Sequence, residues 1–190
     1  SGGAADTVLT GGLVGNILLA AKGEVIGQGS LDFIYKSNYG EFIEKAKTIY
    51  ARYADKIVLP TDLGYVGNGV RRECRIGAVP TEICAVDIGS ETARQYESII
   101  LAAKTVFVNG PMGIFEQPET ELGTKTVFEA LGNTAGYTVV GGGDSVTAAA
   151  KYQVKDKLGY VCTGGGALIR FLTGEELPVV KALRHAAAAL

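Results

Sequence analysis

Thr138-Val139-Val140-Gly141-Gly142-Gly143-Asp144-Ser145 is the stretch on which the fold turns. A short β-branched run feeds three glycines, and residues 144–152 then take up helical spacing, the grammar of a strand entering a helix through a tight turn. The same grammar recurs on either side. Downstream, residues 159–162 lead into Thr163-Gly164-Gly165-Gly166; upstream, residues 105–108 lead into Asn109-Gly110-Pro111. Near the start, Val8-Leu9 leads into Thr10-Gly11-Gly12 and a helical stretch over 13–21, with Leu13, Ile17 and Ala20 on one face. Repeated strand–glycine–helix units predict an α/β fold, a Rossmann-like parallel sheet with helices on both faces in three layers.

Between these units the pattern predicts an amphipathic helix over 39–54, with Phe42, Ala46, Ile49 and Tyr53 on its apolar stripe. A short strand follows at 57–59, stopped by Pro60. Residues 61–80 break both periodicities and read as an excursion off the sheet, with a hairpin around Asn68-Gly69. Residues 84–88 resume the strand pattern, Ser90 is placed to cap a helix running to 104, and Glu91 suits its positive end. Further helices are expected over 120–132 and from Pro178 onward, the last ending in the alanine run 186–189.

The totals fit one domain over residues 1–190. Charged residues make up 20%, the formal net charge is -2 and 27 residues are glycine without a collagen period. No basic face points to nucleic acid. The longest uncharged stretch near the start, 7–21, is interrupted by glycine and too short to span a membrane. Cys74, Cys84 and Cys162 are odd in number and widely spaced, and His185 is the one imidazole, so reduced thiols in a cytoplasmic protein are expected rather than disulfides or zinc.

Glycine turns at the carboxyl ends of parallel strands bring backbone amides and helix N-termini to one rim, where anions bind. Gly141, Gly142 and Gly143 ahead of the following helix form a sensible phosphate seat. Asp144 beside phosphates would be repelled unless a cation neutralised both, so it is either a ligand of nucleotide-bound Mg²⁺ or a helix cap. Asn109-Gly110 and Pro111 are also ordinary turn formers, Glu116 could be a solvated carboxylate, and Phe115 reads as core. Neither a P-loop nor a full dinucleotide fingerprint is present, which weakens the ordinary P-loop and NAD oxidoreductase readings.

Val108-Asn109-Gly110-Pro111-Met112-Gly113-Ile114-Phe115-Glu116 closely resembles a signature stretch of phosphoglycerate kinases. Leu9-Thr10-Gly11-Gly12, Gly141-Gly142-Gly143-Asp144-Ser145 and Cys162-Thr163-Gly164-Gly165-Gly166-Ala167 stand around it in that family's order, with wording most similar to archaeal members. The resemblance covers nearly the whole chain and implies the C-terminal, nucleotide-binding domain of an enzyme that moves a phosphoryl group between 1,3-bisphosphoglycerate and ADP. On that resemblance ATP or ADP and Mg²⁺ are the expected cofactors. Asn109 would meet nucleotide phosphate, Pro111 would wall the adenine pocket and Glu116 would hold ribose hydroxyls. Gly142 and Gly143 would cradle the transferring phosphoryl group, with Gly141, Asp144 and Ser145 at the same turn and Asp144 serving the metal. Gly11, Gly12 and Gly89 would line the base and ribose slot, and Gly164, Gly165 and Gly166 would face the domain cleft.

The family also implies a Gly-Gly-Ala-Lys strand and helix bearing a phosphate lysine, where this sequence reads Ser1-Gly2-Gly3-Ala4-Ala5-Asp6, and a separate phosphoglycerate-binding domain as partner. The expectation is therefore weak nucleotide binding without turnover by this chain alone. The alternative is a scaffold fragment that inherits a non-functional site.

Overall fold

A computed structural model describes residues 5–172 together with Leu177, Pro178, Lys181 and Arg184. It is an α/β fold with two parallel blocks of strands. The first block pairs β1 (Val8–Leu9) with β2 (Ile57–Val58), and the helices α1 (Gly12–Lys22), α2 (Gln28–Lys36) and α3 (Glu41–Tyr53) lie between them in sequence. Next come β3 (Asp62–Gly67), β4 (Val70–Arg75), β5 (Asp87–Ile88) and α4 (Ser90–Ala102). The second block contains β6 (Thr105–Asn109), β7 (Tyr137–Gly141) and β8 (Tyr160–Cys162), with α5 (Leu122–Asn133) and α6 (Gly143–Lys151) as crossovers, and α7 (Gly165–Leu172) closes the described succession.

Strand alternation builds the layers. Val58 packs on a cluster formed by α4, α5 and α6 with Tyr96, Phe128, Leu131 and Val140 at its centre, whereas Ile57 and Leu59 pack on a second cluster from α1, α2 and α3 with Leu19, Ile34 and Ala46. Successive side chains of one strand thus enter cores on opposite faces, as a sheet between helices requires. Phe115, expected in the core, is 4% exposed and belongs to the first cluster.

The excursion over 61–80 is the β3–β4 hairpin, in register from Asp62 opposite Arg75 to Gly67 opposite Val70. Its two-residue turn holds Asn68 and Gly69 at φ of 53° and 75°, the left-handed pair that suits the twist of a tight hairpin. Two expectations need correction. Of 84–88 only Asp87–Ile88 is strand, and it pairs antiparallel with β3 rather than joining the parallel sheet. Ser90 is not the cap of α4; Gly89 holds that position and the capping oxygens come from Asp62, whose Oδ2 and Oδ1 accept the Glu91 and Thr92 amides at 2.9 and 2.8 Å. α2 was not foreseen: it starts after Gly27 at φ 87° and carries only Ser30 and Ile34 into the interior.

No disulfide joins Cys74, Cys84 and Cys162. No described helix is long and apolar enough to cross a membrane. The expected terminal helix lies largely outside the described residues, as do His185 and the alanine run.

Candidate functional site: a rim of glycine turns

The turns that leave β1, β6, β7 and β8 meet. At the first contact, Gly11 and Gly12 press on the loop after β6: a Cβ on Gly11 would stand 2.5 Å from Met112 Sδ, and one on Gly12 3.2 Å from the Pro111 carbonyl. At the second, Asn109 reaches the phosphate-seat turn, where its Oδ1 lies 3.0 Å from the Cβ position of both Gly142 and Gly165. At the third, Gly165 lies so close to Gly142 that a Cβ would stand 2.6 Å from the Gly142 Cα, and the Gly142 amide donates to the Cys162 carbonyl at 3.1 Å. Only backbone without side chains packs this tightly, and Gly142 at φ 94° is in the left-handed region besides. Gly11, Gly12, Asn109, Pro111, Gly142 and Gly165 therefore form one continuous rim.

Beside this rim is a cleft of about 580 Å³, within the usual range of small-molecule sites. Val8 to Val14, Asn109 to Ile114, Asn16, Phe33 and the 84–86 segment line it, without a charged side chain. Sequence reasoning missed Phe33, because α2 was not foreseen, and Cys84 to Val86, which it assigned to a strand. Met112 stood inside the quoted signature, and its neighbours give it a role as a wall.

Buried hydroxyls hold the loop after β6 in place. The Gly110 amide donates to Ser145 Oγ at 2.7 Å and the Met112 amide to Thr124 Oγ1 at 3.1 Å, and both hydroxyl residues are fully buried. Ser145 thus faces the loop, with its oxygen committed to the Gly110 amide. Further on, Lys151 Nζ donates to the Phe115 carbonyl and pairs with Glu121 at 2.8 Å.

Asp144 occupies the first turn of α6 and is exposed. The helix cap is Gly142 and no side-chain cap bond is made, so the capping alternative for Asp144 does not hold. Gly143 is open, with nothing within 4 Å of its Cβ position, and Gly166 is open in the same way. Gly141 is buried in β7, and Gly164 is exposed beside Cys162. Of the expected residues only Gly11, Gly12, Asn109 and Pro111 line the cleft; residues 141–145 and 164–166 lie outside its lining, and Gly89 and Glu116 are off both the cleft and the rim. Gly89 is buried against Asp62, whose carboxyl carbon lies 2.1 Å from its Cβ position. Glu116 is exposed and does not line the cleft; its charge acts on Tyr152, at the far end of α6 from Asp144. Among the described residues no group of three metal-ligating side chains forms.

The phosphoglycerate kinase family model matches residues 3–175. The phosphoglycerate kinase of Methanothermobacter thermautotrophicus is 40% identical over 183 residues, a stretch that covers 96% of this chain and 44% of that protein. That of Methanothermus fervidus is 39% identical over 184 residues, 97% of this chain and 45% of its own. The crystal structure of phosphoglycerate kinase from Pyrococcus horikoshii OT3 superposes with a TM-score of 0.89 at 35% identity, over 98% of this chain and 47% of that one. The chain spans less than half the length of each of these relatives.

Proposed function

Because this chain belongs to the phosphoglycerate kinase family, we propose that it is a single nucleotide-binding domain whose rim holds ATP or ADP with Mg²⁺, and that in the cytoplasm it serves an enzyme transferring a phosphoryl group between 1,3-bisphosphoglycerate and ADP. One observation carries this reading: the Gly11-Gly12, Asn109–Met112, Gly142 and Gly165 turns are in contact beside one apolar cleft. An adenine ring suits the cleft itself, to which Gly11, Gly12, Pro111 and Met112 give uncharged walls. Phosphates suit the other end, where Asn109 meets the Gly142 turn at the positive end of α6 and the space beside Gly143 is open. Gly142 and Gly143 are placed to cradle the transferring group, and Gly165 with its neighbours Gly164 and Gly166 extends the amide surface. Ser145 and Thr124 position the loop. Glu116 would reach a ribose only through movement of the 113–116 segment.

Mg²⁺ is commonly held by one or two carboxylates together with nucleotide phosphates and water, so a single exposed, uncapped Asp144 beside the phosphate seat fits the ion. Bound there, the ion would neutralise charge on the phosphates. Asp144 would hold it directly or through water.

Phosphoryl transfer also depends on cationic groups around the transferring phosphate. No lysine or arginine lines the cleft among the described residues. The chain by itself therefore binds nucleotide weakly and turns over little, and a phosphoglycerate-binding domain completes the reaction. Calorimetric titration with Mg-ADP tests the site: saturable binding is expected, weakened about tenfold or more by Asp144→Ala and by Asn109→Ala. Absence of binding at millimolar nucleotide would instead favour an inherited, inactive scaffold.

A further inference from the structure

Between β6 and α5 the chain forms neither helix nor strand over residues 110–121, yet the first part of this segment walls the cleft. Backbone of that kind takes its shape from whatever satisfies its polar groups. Three of its anchors are amides at alternate residues: Gly110 on Ser145 Oγ, Met112 on Thr124 Oγ1, and Ile114 on the Val86 carbonyl at 2.8 Å. Another anchor is a charged side chain, because Lys151 Nζ donates to the Phe115 carbonyl. Ser145 and Lys151 stand on the first and last turns of α6, about 9 Å apart along its axis. The loop is therefore fastened to both ends of the helix whose start is the phosphate seat.

A lysine on a last helical turn ordinarily swings in water, but Lys151 is held in one place. Its ammonium pairs with Glu121 Oε2 at 2.8 Å and stands 5.6 Å from the centre of the Tyr152 ring. Tyr152 donates its hydroxyl to the same carboxylate oxygen at 3.0 Å, so Glu121, at the start of α5, is fixed from two sides. The hydrogen bond from Lys151 is the strongest influence on the Glu121 carboxyl and holds it below the usual carboxylate range. Ion pairs open to water add little to stability, and these two side chains are 35% and 22% exposed. What the group supplies is position. On one side of Phe115, Ile114 lines the cleft; on the other, Glu116 is exposed and outside its lining.

We infer that Lys151, oriented by Glu121 and Tyr152, is a positioning residue: by holding the Phe115 carbonyl it fixes the Met112–Ile114 wall of the cleft on α6. Helix α6 then acts as a strut, with the phosphate seat at its start and the base wall tied to its end. Lys151 touches no ligand and acts through the loop alone. That the wall meets an adenine ring rests on the function proposed above; that Lys151 holds the wall does not.

The test compares the full 190-residue protein with Lys151→Met, which keeps most of the side-chain stem and removes the ammonium, and with Lys151→Arg, which can still donate to the carbonyl and the carboxylate. Hydrogen exchange is read first, without nucleotide. Lys151→Met should speed exchange at the Ile114 amide about tenfold, leave the Gly110 amide at the other end of α6 and the Leu19 amide inside α1 unchanged, and be reversed by Lys151→Arg. An unchanged Ile114 amide, equal acceleration at all three amides, or failure of the arginine to restore protection would each overturn the inference. Calorimetric titration with adenosine and with Mg-ADP follows. A looser wall should weaken both ligands by the same factor, about threefold to tenfold, whereas Asp144→Ala should weaken Mg-ADP alone. Loss for Mg-ADP without loss for adenosine, no loss for either, or tighter binding would count against Lys151 as the holder of a base wall. If the unaltered protein binds neither ligand, the proposed function fails, and the exchange measurement still decides whether Lys151 holds the loop.

Discussion

Asp87 is a carboxylate taken out of water. It is 3% exposed; Oδ2 accepts from Arg71 Nη1 and from the Gly123 amide, each at 2.9 Å, and Oδ1 accepts the Ile88 amide. Burial is the strongest influence and pushes the carboxyl up to about 6, against the opposing pull of the Gly123 amide and the Arg71 guanidinium. Because the folded value lies above the ordinary 3.8, the native state binds more protons between those limits. This group's contribution to stability is therefore full below about pH 4, falls as pH rises through about 6 and is level above it. Arg71→Met strands the charge. The loss should be about 3–5 kcal/mol near pH 8 and clearly smaller near pH 5, where the carboxyl can take up a proton. Urea unfolding at both pH values measures it, and equal losses would contradict this account.

Helix α4 is capped from a different element. Asp62, on β3, satisfies the Glu91 and Thr92 amides and also accepts from the Thr92 hydroxyl, while Ser90 turns its hydroxyl to Glu73 at 2.6 Å. Asp62→Ala should cost about 2 kcal/mol, the upper range for a lost cap, whereas Ser90→Ala at the exposed contact should stay within about 0.5 kcal/mol. Thermal unfolding of the pair would reveal a misassigned cap if the order were reversed. Gly89 belongs to the same arrangement, because its Cβ position is occupied by the Asp62 carboxyl group. Capping from 29 residues away ties the hairpin to the helix in one unit.

Across the whole molecule, Tyr96 links the layer of α4 to the ends of the first parallel block. Its hydroxyl donates to the Thr10 carbonyl at 2.7 Å and lies 3.1 Å from that of Val58, and the side chain is fully buried. Tyr96→Phe leaves the Thr10 carbonyl unsatisfied beside the Gly11 turn and should cost roughly 1–3 kcal/mol. Faster hydrogen exchange in β1 and β2 should accompany it; an unchanged urea midpoint would rule this link out. The sequence by itself determined the strand–glycine–helix units, the Asn68-Gly69 hairpin and the burial of Phe115, because periodicity, positive-φ turns and apolar patterning act over a few neighbouring residues. It also named most of the rim, since Gly11, Gly12, Asn109, Pro111, Gly142 and Gly165 sit where strands end. Only the tertiary structure decided that Asp62 rather than Ser90 caps α4, that Asp87–Ile88 runs antiparallel, that Phe33 and Met112 wall the cleft while Gly89 and Glu116 do not, and that among the described residues no strand pairs with the outward edges of β1 and β6. Those outcomes depend on which distant segments meet. Backbone groups are the same at every residue, so a strand's own sequence does not say which edge will find a partner.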